Sequence, residues 1–389
     1  MSLSELISNA TQRPVQQLQQ RRIASLWAGW GAASALTVSL EPVNQPGDTL
    51  HLVAKQVTPP RAAATESHLR KVRSYEVECA FYSSSGAAAH VLQRAACLAP
   101  LPKPLLVRSQ PPDSFLLLLS DLSQEFPVTV RRGMNTQQLQ VALTWLASFH
   151  ACFWGQRPAS GPASSTAPGG QLGQPGGKPA GDCPPGWLQG LWPQGSYWHL
   201  ATRQEELQAM GEDWEWLHDM ASQVDGLLRG FSGPAPPREE GLANDCAHAT
   251  LLHGDFKAAN LVFSAEGGRC AAYDFQYTGW GVGMVDVAYL LCSSGDEQQV
   301  AAHEKALLRH YHTTLMSRLG ELQPGPVAEA AQRTYTWEVL RQHYDLALLD
   351  FVRFMAGWGS WGAVGYAHNA ARQAARRLGL LKDDRGRAR

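Results

Sequence analysis

The stretch HGDFKAAN at residues 253–260 places several polar side chains directly after the apolar run HATLL, and Asp274 follows in YDFQ. Phosphoryl transfer from a nucleotide requires a carboxylate near the attacking hydroxyl, oxygen ligands for magnesium and a cation on the phosphates. Asp255 is a suitable proton acceptor, and the oxygens of Asn260 and Asp274 are the kind of ligand that Mg²⁺ prefers. The residue types and their spacing therefore predict a phosphoryl-transfer site.

Two other interpretations compete with this one. Asp and Asn favour β-turns, so HGD by itself could be a plain turn. His253, Asp255 and Asp274 could alternatively bind the metal of a hydrolase. The joint pattern favours phosphoryl transfer, because Asp255 and Asn260 have the spacing of the protein-kinase catalytic loop and DF follows at the position of its metal-binding Asp. His253 is then expected to bond backbone groups within the loop.

A lysine inside an apolar strand supplies the required cation. Lys55 lies in LVAKQV, where an ammonium group buried without a partner would be costly. Glu78 follows on a predicted helix, with aromatic residues three and four positions away that indicate an inward face. We predict that Lys55 and Glu78 form an ion pair that positions the α- and β-phosphates. Glu76 is the alternative partner, and the alternative for Lys55 is an edge strand from which the amine reaches solvent.

A glycine-containing turn precedes the lysine strand. In WAGWGAAS at residues 27–34, Gly29 and Gly31 would allow backbone N–H groups to approach phosphates. Many hairpins carry such glycines, so this interpretation depends on the neighbouring motifs. The run LLLLSDLS further along is expected to connect two lobes, where adenine commonly pairs with backbone groups.

Periodicity predicts the elements that position these residues. The β-type runs SALTVSLEPV and LHLVAKQV flank the turn-forming NQPGD and predict a hairpin. Residues 64–96 have a helical pattern with a break at Gly86. SFLLLLSDLS at 114–123 is a buried strand, and residues 135–154 are an amphipathic helix with Thr136 as its N-cap.

These elements predict an α+β fold of two lobes, with a small β-rich N-lobe and a mainly α-helical C-lobe. The N-lobe is expected at 24–119 and the C-lobe at 120–380, after an N-terminal extension over 1–23. Gly, Pro, Ser and Ala dominate near 155–186, and a shorter segment near 230–246 is similar. Both are too poor in apolar residues to become ordered and are predicted to be flexible insertions.

Composition narrows the functional classes. The 389 residues are 44% hydrophobic and 17% charged, which indicates a globular protein, and a net charge of -1 gives no sign of a nucleic-acid or membrane partner. Seven cysteines without a CxxC pair favour reduced thiols and a cytoplasmic location, although import into an organelle is left open. The N-terminal stretch lacks the apolar segment of a secretory signal, and no long apolar run predicts a membrane span.

Together HGDFKAAN, YDFQ, the Lys55 strand, VECAFY and WLASFHACFW resemble the ecdysteroid-kinase-like branch of the aminoglycoside phosphotransferase and choline kinase superfamily. The resemblance covers most of the chain and implies a bilobal, protein-kinase-like fold that uses ATP and Mg²⁺. It implies the following residue roles: Asp255 as catalytic base, Asn260 and Asp274 as metal ligands, Lys55 with Glu78 on the ATP phosphates, and Asp286 as a structural brace of the catalytic loop. Lys257 is either a ligand of the γ-phosphate or a solvated lysine of the loop.

The implied partner is a small molecule with a hydroxyl group, and the oligomeric state is left open. Trp198, Trp358 and Trp361 lie in the stretches assigned to the acceptor pocket and suggest an apolar or ring-shaped acceptor, though each could equally be a core aromatic. The first alternative is a choline, aminoglycoside or sugar acceptor, which would need clustered carboxylates, and Glu205 with Glu206 is the main acidic pair. The second alternative is a catalytically silent nucleotide-binding protein. A protein kinase is disfavoured because no APE segment is found.

Overall fold

The structure is a computed structural model, and it describes residues 1–26, 29–41, 48–61, 65–131, 133–156, 189–232 and 248–382. The two predicted insertions, near 155–186 and 230–246, lie outside the described residues except for their first two or three positions.

Five strands build the sheet of the N-terminal lobe. They are β1 (Val15–Ser25), β2 (Gly31–Leu40), β3 (Thr49–Val57), β4 (Pro104–Gln110) and β5 (Ser114–Ser120). Their spatial order is β1, β2, β3, β5, β4, and every neighbouring pair is antiparallel. The predicted hairpin is confirmed, because β2 pairs with β3 and places Ala33 opposite Lys55.

The sheet begins before residue 24, where the N-lobe is predicted to start. Strand β1 pairs along β2, and helix α1 (Leu3–Thr11) packs on the sheet through Ile7, which is fully buried. Strand β1 is an edge strand whose side chains are mostly exposed on both faces, so it lacks the alternation of apolar and polar residues that identifies a half-buried strand. Residues 1–23 are therefore part of the lobe rather than an appendage to it.

Two helices cover the other side of the N-terminal lobe. They are α2 (Glu66–Phe81) and α3 (Ala87–Arg94), and the break between them falls at Gly86, as predicted. Helix α2 begins at Thr65, whose side chain caps the N–H of His68. Glu78 is buried on the inward face of α2, which is the orientation that the aromatic spacing predicts.

The C-terminal lobe is mainly helical. Its helices, among the described residues, are α4 (Thr136–Phe153), α5 (Gln204–Gln208), α6 (Glu215–Ser232), α7 (Met284–Ser294), α8 (Glu297–Leu322), α9 (Pro326–Thr334), α10 (Trp337–Trp358) and α11 (Val364–Arg377). The prediction of Thr136 as the N-cap of α4 is wrong by one residue. Asn135 is the cap, because its side chain accepts the N–H of Gln138 while the Gln138 side chain accepts the N–H of Asn135.

Short strands at the interface of the lobes flank the loops that contain the candidate catalytic residues. They are β6 (Val128–Thr129), β7 (Ala249–Leu252), β8 (Leu261–Phe263), β9 (Cys270–Ala272) and β10 (Gly279–Val282). Strand β7 pairs with β10, and β8 lies between β6 and β9. The architecture confirms the predicted α+β fold with a β-rich N-lobe and a mainly helical C-lobe. None of the helices in the described part of the chain combines the length and apolar character required to span a bilayer.

Candidate active site

The loop at residues 253–260 connects β7 to β8. It leaves a strand whose four residues are all buried. Gly254 has φ +83°, and a Cβ there would lie 2.0 Å from the carbonyl oxygen of Tyr277. Glycine is therefore required at this position, where the chain turns sharply and brings Asp255 beside the segment that follows Asp274.

His253 is fully buried, and both of its ring nitrogens face backbone groups. Its Nδ1 accepts the N–H of Asp255 at 3.3 Å, and its Nε2 lies 3.1 Å from the carbonyl oxygen of Tyr273. Burial lowers the pKa of His253, which favours a neutral ring with its proton on Nε2. His253 thus bonds backbone groups, as expected, and leaves no ring nitrogen for the metal of a hydrolase.

Asp286, in the first turn of α7, holds the loop from behind. Its Oδ2 accepts the N–H of His253 at 2.7 Å, and its Oδ1 accepts the N–H of Gly254 at 3.0 Å. His150 on α4 approaches the same Oδ2 at 3.3 Å through Nε2, and its Nδ1 lies 2.7 Å from the hydroxyl of Tyr311. This buried network fixes the backbone of the loop, which is the bracing geometry that the resemblance implies for Asp286.

Asp255 is 6% exposed and accepts three hydrogen bonds. Lys257 Nζ donates to its Oδ2 at 2.9 Å, Asn260 Nδ2 donates to the same oxygen at 3.0 Å, and the hydroxyl of Tyr289 donates to Oδ1 at 3.0 Å. Burial raises the pKa of Asp255 above its ordinary value, although Lys257 opposes the rise. A buried carboxylate of this kind is a stronger base than a solvated one.

A backbone hydrogen bond joins the segments that carry Asn260 and Asp274. The N–H of Tyr273 donates to the carbonyl oxygen of Asn260 at 3.1 Å, and Asp274 follows with φ +70°, a conformation that Asp tolerates better than most residues. The Asn260 amide nitrogen faces Asp255, so its oxygen points elsewhere. A carboxylate and an amide oxygen form a donor set that fits Mg²⁺, which takes only one or two protein groups and keeps several waters.

Lys55 connects the two lobes. Its Nζ lies 2.6 Å from Glu78 Oε2 on α2 and 2.9 Å from Asp274 Oδ1 in the C-terminal lobe. Burial opposes the ammonium charge, but the attraction of Asp274 and Glu78 exceeds this effect and raises the pKa of Lys55. Burial likewise disfavours ionised Asp274, yet the adjacent Lys55 charge outweighs it and lowers the pKa of Asp274. The cation and this carboxylate are therefore both charged at neutral pH.

The structure decides between Glu78 and Glu76 as the partner of Lys55. Glu76 pairs with Arg73 at 2.8 Å on the outer side of α2, so Glu78 is the partner of Lys55. The helix that carries Glu78 is also fixed to the segment after Asp274, because the rings of Phe81 and Phe275 stack with their centroids 4.0 Å apart. Packing therefore holds the carboxylates on either side of Lys55 in one arrangement.

The two predicted loop glycines have different surroundings. Gly29 has φ +72° and no neighbour within 4 Å of a Cβ position. Gly31 begins β2, and a Cβ there would lie 2.0 Å from the carbonyl oxygen of Gln56. Close packing of β2 on β3 is thus sufficient to explain why residue 31 is a glycine. Nothing crowds Gly29, and its positive φ suits a turn. Trp27, in the same motif, lies outside the described residues.

Sequence reasoning missed Tyr289 and Tyr197. Tyr289 lies one turn after Asp286 on α7, so both side chains reach the catalytic loop from the same face of the helix. That spacing, in VDVAYLL, is a signal that could have identified it. The hydroxyl of Tyr197 lies 3.1 Å from that of Tyr289, but no local pattern marks it, because it comes from a loop distant in sequence.

The three tryptophans assigned to the acceptor pocket differ in exposure. Trp198 is 1% exposed and packs against Phe351, so it is a core residue and not a pocket wall. Trp361 is partly buried, whereas Trp358, at the end of α10, is 51% exposed. One face of the Trp358 ring is covered by the guanidinium of Arg203, whose carbon lies 5.2 Å from the ring centroid.

Arg203 organises the surface beside Tyr197. Its guanidinium carbon also lies 5.4 Å from the ring centroid of Tyr197 and 5.3 Å from that of Phe354. Its Nη1 pairs with Glu206 at 3.1 Å. Glu206 is therefore occupied, which leaves Glu205 as the exposed member of the predicted acidic pair.

Comparison with known families identifies the family of this chain. The family model of the ecdysteroid kinase-like family matches residues 33–154 and 226–324, which is more than half of the chain. The protein belongs to the ecdysteroid kinase-like family. A search of curated protein sequences gives no match.

Solved structures of small-molecule kinases are similar to this chain at low sequence identity. A choline kinase from Cryptosporidium parvum is 10% identical, with 98% of each chain covered and a TM-score of 0.45. An ethanolamine kinase from Plasmodium vivax is 9% identical, with 94% of this chain and 85% of that chain covered and a TM-score of 0.41. A thermostable mutant of the aminoglycoside phosphotransferase APH(4)-Ia is 13% identical, with 97% of this chain and 99% of that chain covered and a TM-score of 0.40.

Proposed function

We propose that this protein is an ATP- and Mg²⁺-dependent small-molecule kinase that transfers the γ-phosphate to a hydroxyl group of an apolar or ring-containing metabolite. The observation that carries the proposal is the position of Lys55. One ammonium group, on a side chain that is only 12% exposed, lies within 2.9 Å of carboxylates from both lobes, next to the loop that holds Asp255. A cation held in this way is suited to orient the phosphates of a nucleotide.

Each residue near Lys55 has a specific task in this proposal. Glu78 holds the ammonium group in place, and Lys55 contacts the α- and β-phosphates. Asn260 and Asp274 hold Mg²⁺, which neutralises charge on the phosphate oxygens when it is bound. Gly29 lies in the turn that leads into β2, at the same end of the hairpin as Lys55. Its N–H donates to the carbonyl oxygen of Leu26 at 3.0 Å, so Gly29 shapes the turn beside the phosphates and does not offer them this N–H.

Asp255 is the base. It takes up the proton that is released when the acceptor oxygen attacks the γ-phosphorus, and ADP leaves on the opposite side. Lys257 lies 2.9 Å from Asp255 and is half-exposed, so it is placed to stabilise charge on the phosphate that is transferred. Asp286 and Gly254 act indirectly, because they fix the backbone that presents Asp255.

The surroundings of Tyr197 favour a ring-containing acceptor. Arg203 lies over Tyr197, Phe354 and Trp358, and Trp358 is 51% exposed. Flat rings bind to such surfaces through burial of area and stacking. The site is less suited to a polycationic acceptor, because the carboxylate of Glu206 is already paired with Arg203.

The proposal is tested by phosphate transfer to a panel of alcohols. The protein is incubated with MgATP and hydroxyl-bearing metabolites that include sterols, flat aromatic alcohols, choline, aminoglycosides and sugars, and ADP release is measured. We expect ADP release that depends on a ring-containing alcohol and that is lost in Asp255→Asn. Thermal stabilisation by MgATP without turnover on any compound would indicate a silent nucleotide-binding protein. Absence of MgATP binding would contradict the proposal altogether.

A further inference from the structure

A chain of two tyrosine hydroxyls connects Asp255 to the surface beside Arg203. The hydroxyl of Tyr289 lies 3.0 Å from Asp255 Oδ1, and the hydroxyl of Tyr197 lies 3.1 Å from that of Tyr289. Tyr289 is 1% exposed, whereas Tyr197 is only partly buried. Tyr197 is therefore the outer end of the chain and Asp255 the inner end.

The direction of these hydrogen bonds follows from proton counting. An ionised carboxylate can only accept, so the single hydroxyl proton of Tyr289 points to Asp255. Tyr289 must then accept at its oxygen, and the proton of Tyr197 points to Tyr289. Tyr197 already donates its only hydroxyl hydrogen to Tyr289, so toward any further partner its oxygen can act only as an acceptor. The next group outward must therefore be a hydrogen-bond donor, such as an alcohol.

Direct access to Asp255 is limited. Its side chain is 9% exposed, and Lys257 and Asn260 both donate to Oδ2. A hydroxyl that approached either carboxylate oxygen would compete with donors that are already in place. The tyrosine chain offers a route on which no existing hydrogen bond needs to be broken before an alcohol binds.

The proposed kinase function is the basis for a more specific role. We propose that Tyr197 binds the hydroxyl of the acceptor and that Tyr197 and Tyr289 convey its proton to Asp255. The acceptor O–H bond breaks, and its proton moves to the oxygen of Tyr197. The Tyr197 proton moves to Tyr289, and the Tyr289 proton moves to Asp255 Oδ1. The acceptor oxygen forms its bond to the γ-phosphorus with the released electron pair, and both tyrosines end neutral.

A second pair of tyrosines in the same lobe provides a matched control. The hydroxyl of Tyr344 lies 2.6 Å from that of Tyr366, which donates to Glu304 at 2.6 Å. This chain has the same chemistry and is also buried, but neither of these two hydrogen bonds involves the catalytic loop. Tyr344→Phe therefore removes one hydroxyl from a comparable buried pair outside the proposed route.

The kinetic test uses MgATP with water as acceptor and, where the panel yields one, the best alcohol. We expect Tyr197→Phe and Tyr289→Phe each to lower kcat by about 100-fold or more, with the KM for MgATP unchanged. The kcat of the unaltered protein is also measured in mixtures of H₂O and D₂O. A plot of kcat against deuterium content should be curved, because several protons move in the same step. Tyr344→Phe should keep both kcat and the curvature. Full kcat in Tyr197→Phe would overturn the inference.

A second test, which does not depend on activity, uses ¹⁹F NMR of protein labelled with 3-fluorotyrosine. Signals are assigned from the tyrosine-to-phenylalanine variants. Asp255→Asn should shift the signals of Tyr289 and Tyr197 and leave those of Tyr344 and Tyr366 unchanged. A Tyr197 signal that does not respond would show that the hydroxyl chain is not formed in solution and would overturn the inference.

The two levels of proposal fail in different ways. No turnover of MgATP by the unaltered protein, with water or any alcohol, overturns the kinase function and this inference with it. Turnover by the unaltered protein that Tyr197→Phe retains overturns only the role of the tyrosines. A loss of turnover in Tyr197→Phe together with an unchanged melting temperature supports both.

Discussion

Lys55 and Asp274 are 219 positions apart in the chain, yet Lys55 Nζ lies 2.9 Å from Asp274 Oδ1. The same ammonium group contacts Glu78, so one cation is shared by a strand of the N-terminal sheet, a helix behind it and a loop of the C-terminal lobe. Because the pKa of Lys55 is raised and that of Asp274 is lowered, the pair is ionised throughout the physiological range. The two lobes are thus connected at the place where the proposed reaction needs its charges.

The carboxylate of Glu78 should matter for nucleotide use, and that of Glu76 should not. We expect Glu78→Gln to lower kcat/KM for MgATP by about 10-fold, because the neutral amide holds the ammonium group of Lys55 less firmly. Glu76→Gln is the matched control, since it removes the same charge two positions away, where the partner is Arg73. Equal effects of the two variants on ADP release would contradict the assignment.

Asp255→Asn should separate chemistry from binding. The amide cannot accept the proton, so we expect turnover to fall by at least about 100-fold while the affinity for MgATP changes little. Calorimetric titration with MgATP and ADP release together measure the two quantities. Loss of both would indicate that Asp255 is structural.

The same variant should not be less stable at neutral pH. The pKa of Asp255 is raised by burial in the folded protein, so folding favours its protonated form. The contribution of Asp255 to the free energy of unfolding is fully present below the ordinary pKa of Asp. It is lost as the pH rises through the pKa that Asp255 has in the folded protein. At pH 7 the ionised carboxylate is therefore a cost that the neutral amide of the Asp255→Asn variant avoids. We expect this variant to have a melting temperature equal to or higher than that of the unaltered protein, and a clearly lower one would contradict the pKa assignment.

The pH dependence should respond to Lys257. Asp255 must be ionised to act as a base, so kcat/KM should rise with pH through a pKa above that of an ordinary Asp. Lys257 opposes the rise in pKa, and Lys257→Met should move this acidic limb to higher pH. Lys103→Met, at an exposed position of the N-terminal lobe, is the control and should leave the limb in place. A limb that stays fixed in Lys257→Met would count against the electrostatic role.

Asp286 should contribute more to stability than an ordinary helix cap. Asp286→Ala leaves the buried N–H groups of His253 and Gly254 without partners, which should cost about 3 kcal/mol or more. Asp296 caps α8 through the N–H of Gln299, and Asp296→Ala should cost about 1 kcal/mol. Urea unfolding measures both. Similar losses for the two variants would mean that the loop finds other hydrogen-bond partners.

Local sequence was enough to predict the main elements and the charged centre. The apolar setting of Lys55 and the aromatic neighbours of Glu78 indicate burial, and burial of an ammonium group demands a nearby carboxylate. Asp255, Asn260 and Asp274 have a spacing that folding converts directly into proximity, because short strands connect them.

Other features depend on packing between distant segments, which single-sequence patterns do not contain. Strand β1 is an exposed edge strand and has no periodicity to detect. Trp198 could be assigned to a pocket or to the core with equal reason, and only the position of Phe351 decides between them. The contact of Tyr197 with Tyr289 arises between a loop and a helix 92 positions apart.

The most direct test of the proposed active site is a crystal structure of the protein with Mg²⁺ and a non-hydrolysable ATP analogue. We expect Lys55 to contact the α- and β-phosphates, Asn260 and Asp274 to bind the metal, and the γ-phosphate to face Asp255. A triphosphate bound elsewhere, or a metal ion held by neither Asn260 nor Asp274, would contradict it.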